Sequence, residues 1–356
     1  MSARMTDPHP LQEQIRAAAA ARRPLRIRAG GSKDFYGGPL EGELLDVSTL
    51  SGITHCEPTE LVISARAGTP LGDLERELAA HGQMLAFEPP RFSGRATLGG
   101  AVASGLSGPR RAYGGALRDF VLGLEMIDGR GERLRFGGRV IKNVAGFDVS
   151  RLMAGSLGTL GVITEVTLKT VPQPRAELTL RFEMDEAKAL ESMTLWATRS
   201  LPLSATAWHG GLLSVRLSGA ESAVRAARER LCGETLSDAE SYWERVREQQ
   251  LEPFAAAGEI WRLALPAHSP PLPVPGTSLI EWGGSLRWLP GRQDGDALRA
   301  LAARSGGHAT LYRAPVKPPE GPFQPLAPAM LSVQKRLKAA FDPQGIFNRG
   351  RLYPDL

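Results

Sequence analysis

The sequence predicts an α+β fold in which a glycine-rich α/β layer precedes an antiparallel sheet with helices on one face. Three observations carry that expectation. The 356 residues exceed the roughly 100–200 of a typical single domain. Strand-like and helix-like segments alternate in the first half, whereas strand-like segments follow one another after Leu178. The 40 glycines exceed what average usage of roughly 7 % would supply, and most fall before residue 165, so unusual backbone chemistry belongs to the first half.

Each element follows from its residues. Leu11, Ile15 and the alanines from Ala17 to Ala21 make one face of a helix that stops before Pro24. Leu25 to Ala29 reads as a strand entering the loop GGSKDFYGG. ELLDVSTL supplies a second strand, and ELVISARAGTP a third, with Val62, Ser64 and Arg66 alternating against Ile63 and Ala65. In LGDLERELAAHG, Leu71, Leu74 and Leu78 recur at helical spacing and Gly82 is the stop. After Leu178 the segments ELTLRF, LSATAW, LLSVRLSG, EIWRLAL, TSLIEW, GSLRWL and ATLYR read as strands. Glu186 to Thr198, Glu221 to Leu231 and Asp296 to Arg304 read as helices, and the order suggests an αβ unit used twice. PAHSPPLPVPG is a loop, and the proline-rich Ala314 to Pro328 has the stiffness of a linker. The last stretch is then a helix and a turn that pack back on the first part. The expected division is 1–174, 175–315 and 316–356.

Composition narrows the function. A net charge of +5 with a pI near 9.4 would suit a polyanion, but the basic residues are scattered among acids, as in RAARER at Arg225 to Arg230. No basic stripe or nucleic-acid reading motif occurs, so the charge suits one anionic ligand or a partner subunit. Cys56 and Cys232 stand far apart and no CxxC or HxxxH occurs, which predicts a cytoplasmic protein without its own iron–sulfur cluster or metal site. No apolar run approaches the roughly 18 residues of a membrane span.

Chemistry concentrates in three glycine-rich segments, RAGGSKDFYGG (Arg28 to Gly38), TLGGAVASG (Thr97 to Gly105) and AGSLGTLGVITE (Ala154 to Glu165), each read as a loop. One such loop alone is more often a plain turn. Three from one layer point to one long anionic ligand, since backbone N–H groups bared by glycine form anion-binding concavities. A dinucleotide pyrophosphate is the usual occupant. Neither GxGxxG between strand and helix nor GxxxxGK[ST] is present.

With ELVISARAGTPLGDLERELAAHGQMLAFEPP, ATLGGAVASGLSGPRRAYGGALRDFVLG, GGRVIKNVAGFDVSRLMAGSLGTLGVITEVTL and FDPQGIFNRGRL in this order, the chain resembles the FAD-binding oxidoreductases of the vanillyl-alcohol oxidase / p-cresol methylhydroxylase type. Within them it is most similar to the FAD-binding subunits of bacterial glycolate oxidases. The resemblance runs over Leu25 to Pro174 and Phe341 to Leu352, and implies a two-subdomain FAD-binding domain with a cap. It implies that Gly30, Gly31, Ser32 and Lys33 form a first pyrophosphate loop and that Thr97, Gly99, Gly100, Ala103 and Gly105 form a second. Arg118 and Asp119 would brace that loop. Gly155, Ser156, Gly158, Thr159, Gly161, Val162 and Ile163 would enclose the adenine side, and Asn348 and Arg351 would return to the flavin rim. Relatives that bind flavin covalently carry histidine where Ser32 stands, so the FAD is expected to be noncovalent.

Relatives that oxidise D-2-hydroxy acids carry an HGHLGDGNLH-like segment that this sequence lacks. Its nearest candidates are His308 as base and Arg313 as carboxylate clamp; a helix-capping histidine and an ordinary surface pair are the bland alternative. Arg110 and Arg111 suit phosphate, a partner or a solvated turn. Three arrangements stay open. The chain is the FAD subunit of a complex that oxidises glycolate or D-lactate, with a homologous FAD-containing catalytic subunit and an iron–sulfur subunit. That complex would sit at the inner face of the cytoplasmic membrane only through partners. Otherwise the chain is a self-sufficient 2-hydroxy-acid dehydrogenase, or an assembly subunit with a vestigial flavin site.

Overall fold

In the computed structural model, which describes residues 7–92, 94–138, 148–274, 276 and 278–356, Val62–Arg66 is buried on both faces rather than on alternate residues. It lies inside a five-stranded antiparallel sheet in the order Ile53–Glu57, Val62–Arg66, Val162–Lys169, Val121–Ile127, Arg133–Gly137. Ile63 and Ala65 pack under the helices Leu71–Ala80 and Leu98–Ser104. Ser64 faces the other way, where its Oγ meets Thr167 Oγ1 at 2.8 Å. Small residues and paired hydroxyls let a strand be covered on both sides, and that erases the alternation.

The second glycine segment is a helix and not the expected loop. Thr97 Oγ1 accepts from Gly100 N at 3.3 Å as N-cap, Leu98, Ala101 and Val102 are buried, and Gly105 ends the turn at φ +65°. The threonine cap and the left-handed glycine are ordinary helix punctuation, and the two glycines between them mask it. The helix His9–Ala20 covers a parallel pair, Leu25–Arg28 with Glu43–Asp46, through Leu11, Ile15 and Ala18. Residues 139–147, part of the GGRVIKNVAGFDV stretch, lie outside the described residues.

The second sheet has eight strands, all antiparallel to their neighbours: Glu234–Thr235, Ala176–Glu183, Leu212–Gly219, Leu203–His209, Leu279–Glu281, Leu286–Pro290, Ile260–Ala264 and His308–Arg313. Helices Glu186–Ala197, Glu221–Leu231 and Gly295–Arg304 cover one face. The other face takes an additional helix, Ala239–Arg247, through Tyr242, Trp243 and Val246, and beside it Tyr36, Leu106 and Leu157 from the first half of the chain. The cap sheet therefore lies against the glycine-rich layer.

The C-terminal helix Pro328–Phe341 packs Leu337 and Phe341 on the first core. Lys338 Nζ donates to Thr159 O at 2.7 Å, Phe347 O at 2.8 Å and Asp342 Oδ2 at 2.8 Å, while Asp342 accepts from Ile346 N and Phe347 N. Both side chains are buried. Removing one member of a buried ion pair strands the other charge, at a cost of about 3–5 kcal/mol. Lys338→Met is expected to lower the unfolding free energy read from urea denaturation by that much, and Asp342→Asn by less, because Lys338 keeps two carbonyl acceptors. A Lys338→Met loss below about 1 kcal/mol would show that the clasp carries no stability.

Candidate cofactor cleft

The glycine-rich segments meet in one cleft. Its walls include Gly30, Gly31, Ser32 and Lys33 from the first segment and Thr97, Gly99, Gly100 and Ala103 from the second. Gly158, Gly161 and Ile163 come from the third, with Asn348 and Arg351 from the C-terminal turn. Strands place two of the segments: Leu25–Arg28 runs into the first, and Val162–Lys169 begins within the third.

The glycines serve different purposes. A Cβ on Gly30 would collide with the Arg95 carbonyl oxygen, one on Gly99 would lie 2.6 Å from Ala67 Cβ, and one on Gly158 would lie 2.7 Å from Asn348 Nδ2. Those three are glycine because the protein packs on itself. Gly100 differs. It sits in a helix, where glycine costs about 0.5–1 kcal/mol against alanine, and the nearest described atom to its missing Cβ is Thr97 Oγ1 at 3.2 Å. Apart from that tight approach to the capping hydroxyl, its Cβ would meet open space on the cleft wall.

Charge in the cleft points the same way. Lys33 forms no ion pair among the described residues; its ammonium touches Ser32 Oγ at 3.3 Å and lies 5.5 Å from the Phe92 ring centroid. Burial pulls its pKa down to about 8, against a smaller upward pull from Glu248. A desolvated cation without a counter-charge is the complement of a phosphate-bearing ligand. Ser156 Oγ, which does not line the cleft, is buried without a hydrogen-bond partner among the described residues. Asn348 and Arg351 have less freedom. Asn348 Nδ2 donates to Leu157 O at 2.6 Å and its Oδ1 accepts from Ile27 N at 2.8 Å, while the Arg351 guanidinium donates to the carbonyls of Asp34, Tyr36 and Gly38. Both act as braces between the tail and the first glycine segment.

The other expected residues distribute differently. Asp119 caps its own turn by accepting from Ala116 N at 3.0 Å, Thr159 Oγ1 donates to Ser156 O at 2.8 Å, and Val162 is buried in its strand; none of the three lines the cleft. Gly105, Arg118 and Gly155 border a second chamber, which meets the cleft at Ser104. That chamber also contains Tyr36, Arg111, Arg262 and Trp282. Of these, Tyr36, Arg262 and Trp282 had no functional part in the sequence-based reading. Arg262 had one legible signal, the lone charge in the apolar strand Ile260–Ala264.

His308 and Arg313 are not brought together. They sit at opposite ends of one strand, about 16 Å apart at 3.3 Å per residue, and neither lines the cleft or the chamber. His308 starts that strand instead of capping the preceding helix, which ends at Ser305. Arg313 lies over Phe35 and donates to Gln249 at 3.3 Å. Arg110 and Arg111 form no solvated turn. Arg110 is buried among Glu88, Glu177 and Ser218, and Arg111 stacks on Trp282 with 4.4 Å from its Cζ to the ring centroid. Away from the cleft, Cys56, Glu77 and His81 bring one ligand atom each within 4.8 Å of one another.

Comparison with known proteins identifies the family. Residues 2–137 match the family model described as FAD binding domain. Over 346 residues the chain is 46% identical to glycolate oxidase subunit GlcE of Escherichia coli (strain K12), a match covering 97% of each chain. It is 34% identical over 183 residues to glycolate oxidase subunit GlcD of Bacillus subtilis (strain 168), spanning 49% of this chain and 38% of that one. Among solved structures, alkyldihydroxyacetonephosphate synthase superposes with a TM-score of 0.68 over 97% of this chain and 74% of its own, at 14% identity, a likeness of fold. The chain belongs to the FAD-binding oxidoreductase family that includes GlcE, and its cofactor is FAD.

Two outcomes follow from the cleft. Gly100→Arg is expected to yield folded protein without FAD, read as the absorbance ratio of flavin to protein; stoichiometric FAD in that variant would place the cofactor elsewhere. Lys33 attracts a diphosphate only when protonated. With its pKa near 8 in the free protein and raised by a bound anion, FAD binding takes up a proton above that value. Affinity should hold steady below about pH 7 and fall by up to tenfold per pH unit above about 8. Lys33→Gln should flatten the profile, and an unchanged slope would remove Lys33 from the site.

Proposed function

We propose that this FAD-binding protein is a subunit of a complex that oxidises glycolate, holding FAD noncovalently beside a homologous flavoprotein subunit and an iron–sulfur subunit. The carrying observation is the end-to-end match to a glycolate oxidase subunit, 46% identical over 97% of the chain. The partial match to a second glycolate oxidase subunit, GlcD, supports a homologous partner. Bound FAD would supply a two-electron acceptor for the hydride of a 2-hydroxy acid.

This chain's own residues support a divided task. Ser32 offers no imidazole for a covalent link to flavin. Among the described residues the chamber beside the cleft is lined by arginines, tyrosine, tryptophan and small residues, with no histidine or carboxylate to take the hydroxyl proton. General base catalysis contributes typically 10²–10⁴-fold, so the missing base argues for a partner that supplies it. Cys56 and Cys232 are both free, and a cluster held by cysteines would belong to a partner. No helix among the described residues is long and apolar enough to cross a membrane, which leaves attachment at a membrane to those partners.

The test is anaerobic flavin bleaching with glycolate, first on the isolated FAD-loaded chain and then on the complex purified with its co-expressed neighbours. The complex should bleach at least about a hundredfold faster, in line with the loss of a positioned base, and acid precipitation should leave colourless protein under a yellow supernatant. A fully flavinated complex that neither glycolate nor D-lactate reduces would overturn the proposed activity.

A further inference from the structure

We propose that Arg111 and Arg262, stacked on Trp282 in the chamber that adjoins the cofactor cleft, form a binding site for the carboxylate of a small 2-hydroxy or 2-oxo acid. The inference rests on the assignment of the neighbouring cleft to FAD and adds to it an anion site on this chain itself.

The chamber has a volume of about 260 Å³, below the roughly 300–1,000 Å³ of pockets that take drug-sized ligands. It suits an acid of a few heavy atoms. The two guanidinium groups flank one indole, Arg111 at 4.4 Å and Arg262 at 5.3 Å from the Trp282 centroid, with Arg262 also 5.8 Å from Trp288. Stacking holds both guanidinium groups in place with their N–H donors unused: among the described residues neither guanidinium makes a hydrogen bond or an ion pair. Burial first, then repulsion from Arg262 and Arg118, pulls Arg111 below the usual arginine range against a smaller upward pull from Asp119, and a bound anion would relieve that repulsion.

Four buried arginines elsewhere in the fold are matched by carboxylates, and the contrast with them marks this pair. The largest cavity among those described, about 830 Å³, is also rich in arginine, but its Arg110 and Arg216 bind Glu88 at 3.3 and 2.8 Å. Buried Arg299 pairs with Glu320 at 3.3 Å and buried Arg287 lies 3.8 Å from Glu186. The carboxylate that acts electrostatically on Arg262 is Glu281, outside the chamber, with its Oε2 already accepting from Trp288 Nε1 at 2.7 Å. Arg118 at the rim is exposed and lies 3.8 Å from Asp119, so it contributes at most long-range attraction. Two half-buried guanidinium groups around one aromatic platform, with no carboxylate lining the chamber among the described residues, form a receptor for an external anion. Each guanidinium fork can pair bidentately with a carboxylate, and the chamber's size suits a small acid.

Oxalate, an unreactive planar dicarboxylate, is the probe. The FAD-loaded full-length chain is titrated with oxalate at constant ionic strength, followed by calorimetry and by the flavin difference spectrum, with inorganic phosphate and chloride as parallel titrants. Saturable oxalate binding is expected, with phosphate at least about tenfold weaker. Arg111→Gln and Arg262→Gln should each weaken it about ten- to a hundredfold at unchanged FAD content, the loss of a charge-assisted hydrogen-bonding partner. Arg111→Lys and Arg262→Lys, which keep the charge and the bulk, should give intermediate losses, and Arg76→Ala on the exposed helix surface none. Absence of saturable oxalate binding to the unaltered protein overturns the inference whatever the variants do. So do phosphate binding of equal strength and a loss of FAD in step with oxalate, which would assign the arginines to the flavin. The two proposals fail separately. A complex that binds oxalate but is not reduced by glycolate refutes the proposed activity alone, whereas a glycolate-reduced complex whose rate and oxalate affinity ignore both substitutions refutes the anion site alone.

Discussion

One buried carboxylate sets how the two halves meet. Glu88 leaves the first half at φ +44° and accepts from Arg110 N at 2.9 Å, Arg110 Nε at 3.3 Å and Arg216 Nη2 at 2.9 Å. Arg110 reaches on to Glu177 at 2.6 Å and Ser218 at 3.1 Å. Arg216, Glu177 and Ser218 belong to the cap sheet, so the network crosses from one half to the other. Burial pushes the Glu88 carboxyl up, but Arg216 and Arg110 outweigh it and hold the pKa below the usual glutamate value. With Arg110 and Arg216 buried, losing their carboxylate partners would strand both charges. The set therefore specifies one docking geometry more than it adds stability.

That geometry builds the chamber. With Arg110 fixed, the next residue is directed to the opposite side, where Arg111 finds Trp282. The indole is held in turn by its Nε1–H donating to Gly108 O at 3.0 Å, two residues before Arg110. The residue after it is anchored through Gly283 N to Thr206 Oγ1 at 2.9 Å. A second clasp closes the other end of the cleft. Lys338 and Asn348 donate to carbonyls of the third glycine segment and Arg351 to carbonyls of the first, all more than 150 residues away in sequence, while Asp342 holds Lys338. The glycine segments present few side chains to each other, so their separation is set by these tail residues.

The sequence made part of this legible. The three glycine-rich segments, the cap strands and the long resemblance could be read because each is local or sequentially ordered. Their meaning residue by residue could not. Gly30, Gly99 and Gly100 look alike in sequence, yet two are required by protein contacts and one is open to the cleft. The helix Leu98–Ser104 was hidden by glycines that lower helix propensity, and tertiary packing of Leu98, Ala101 and Val102 overrides that local preference. The helix Ala239–Arg247 has a plain apolar face of Tyr242, Trp243 and Val246 and was missed beside the strands around it. His308 and Arg313 looked like a pair because both stand in one short segment, where strand geometry keeps them apart.

Arg262 illustrates why the second chamber was out of reach. Its strand reads as an apolar run with one intruding charge, and a charged residue in such a strand is usually matched across the sheet. Its register partners are Trp288 and Thr310, which offer an aromatic face and a hydroxyl but no carboxylate. The charge makes sense only once Arg111, 151 positions earlier by subtraction of the two residue numbers, is seen on the same indole. Two like charges held close with no carboxylate in ion-pair reach among the described residues, Asp119 and Glu281 acting only at longer range, oppose folding unless something else is gained. The fold could have matched them with a carboxylate, as it matches Arg110 and Arg216 through Glu88. That it leaves this pair open, beside a cleft laid with glycine for a cofactor, is the pattern expected of a preorganised site, where repulsion in the free protein is relieved by the anion it receives.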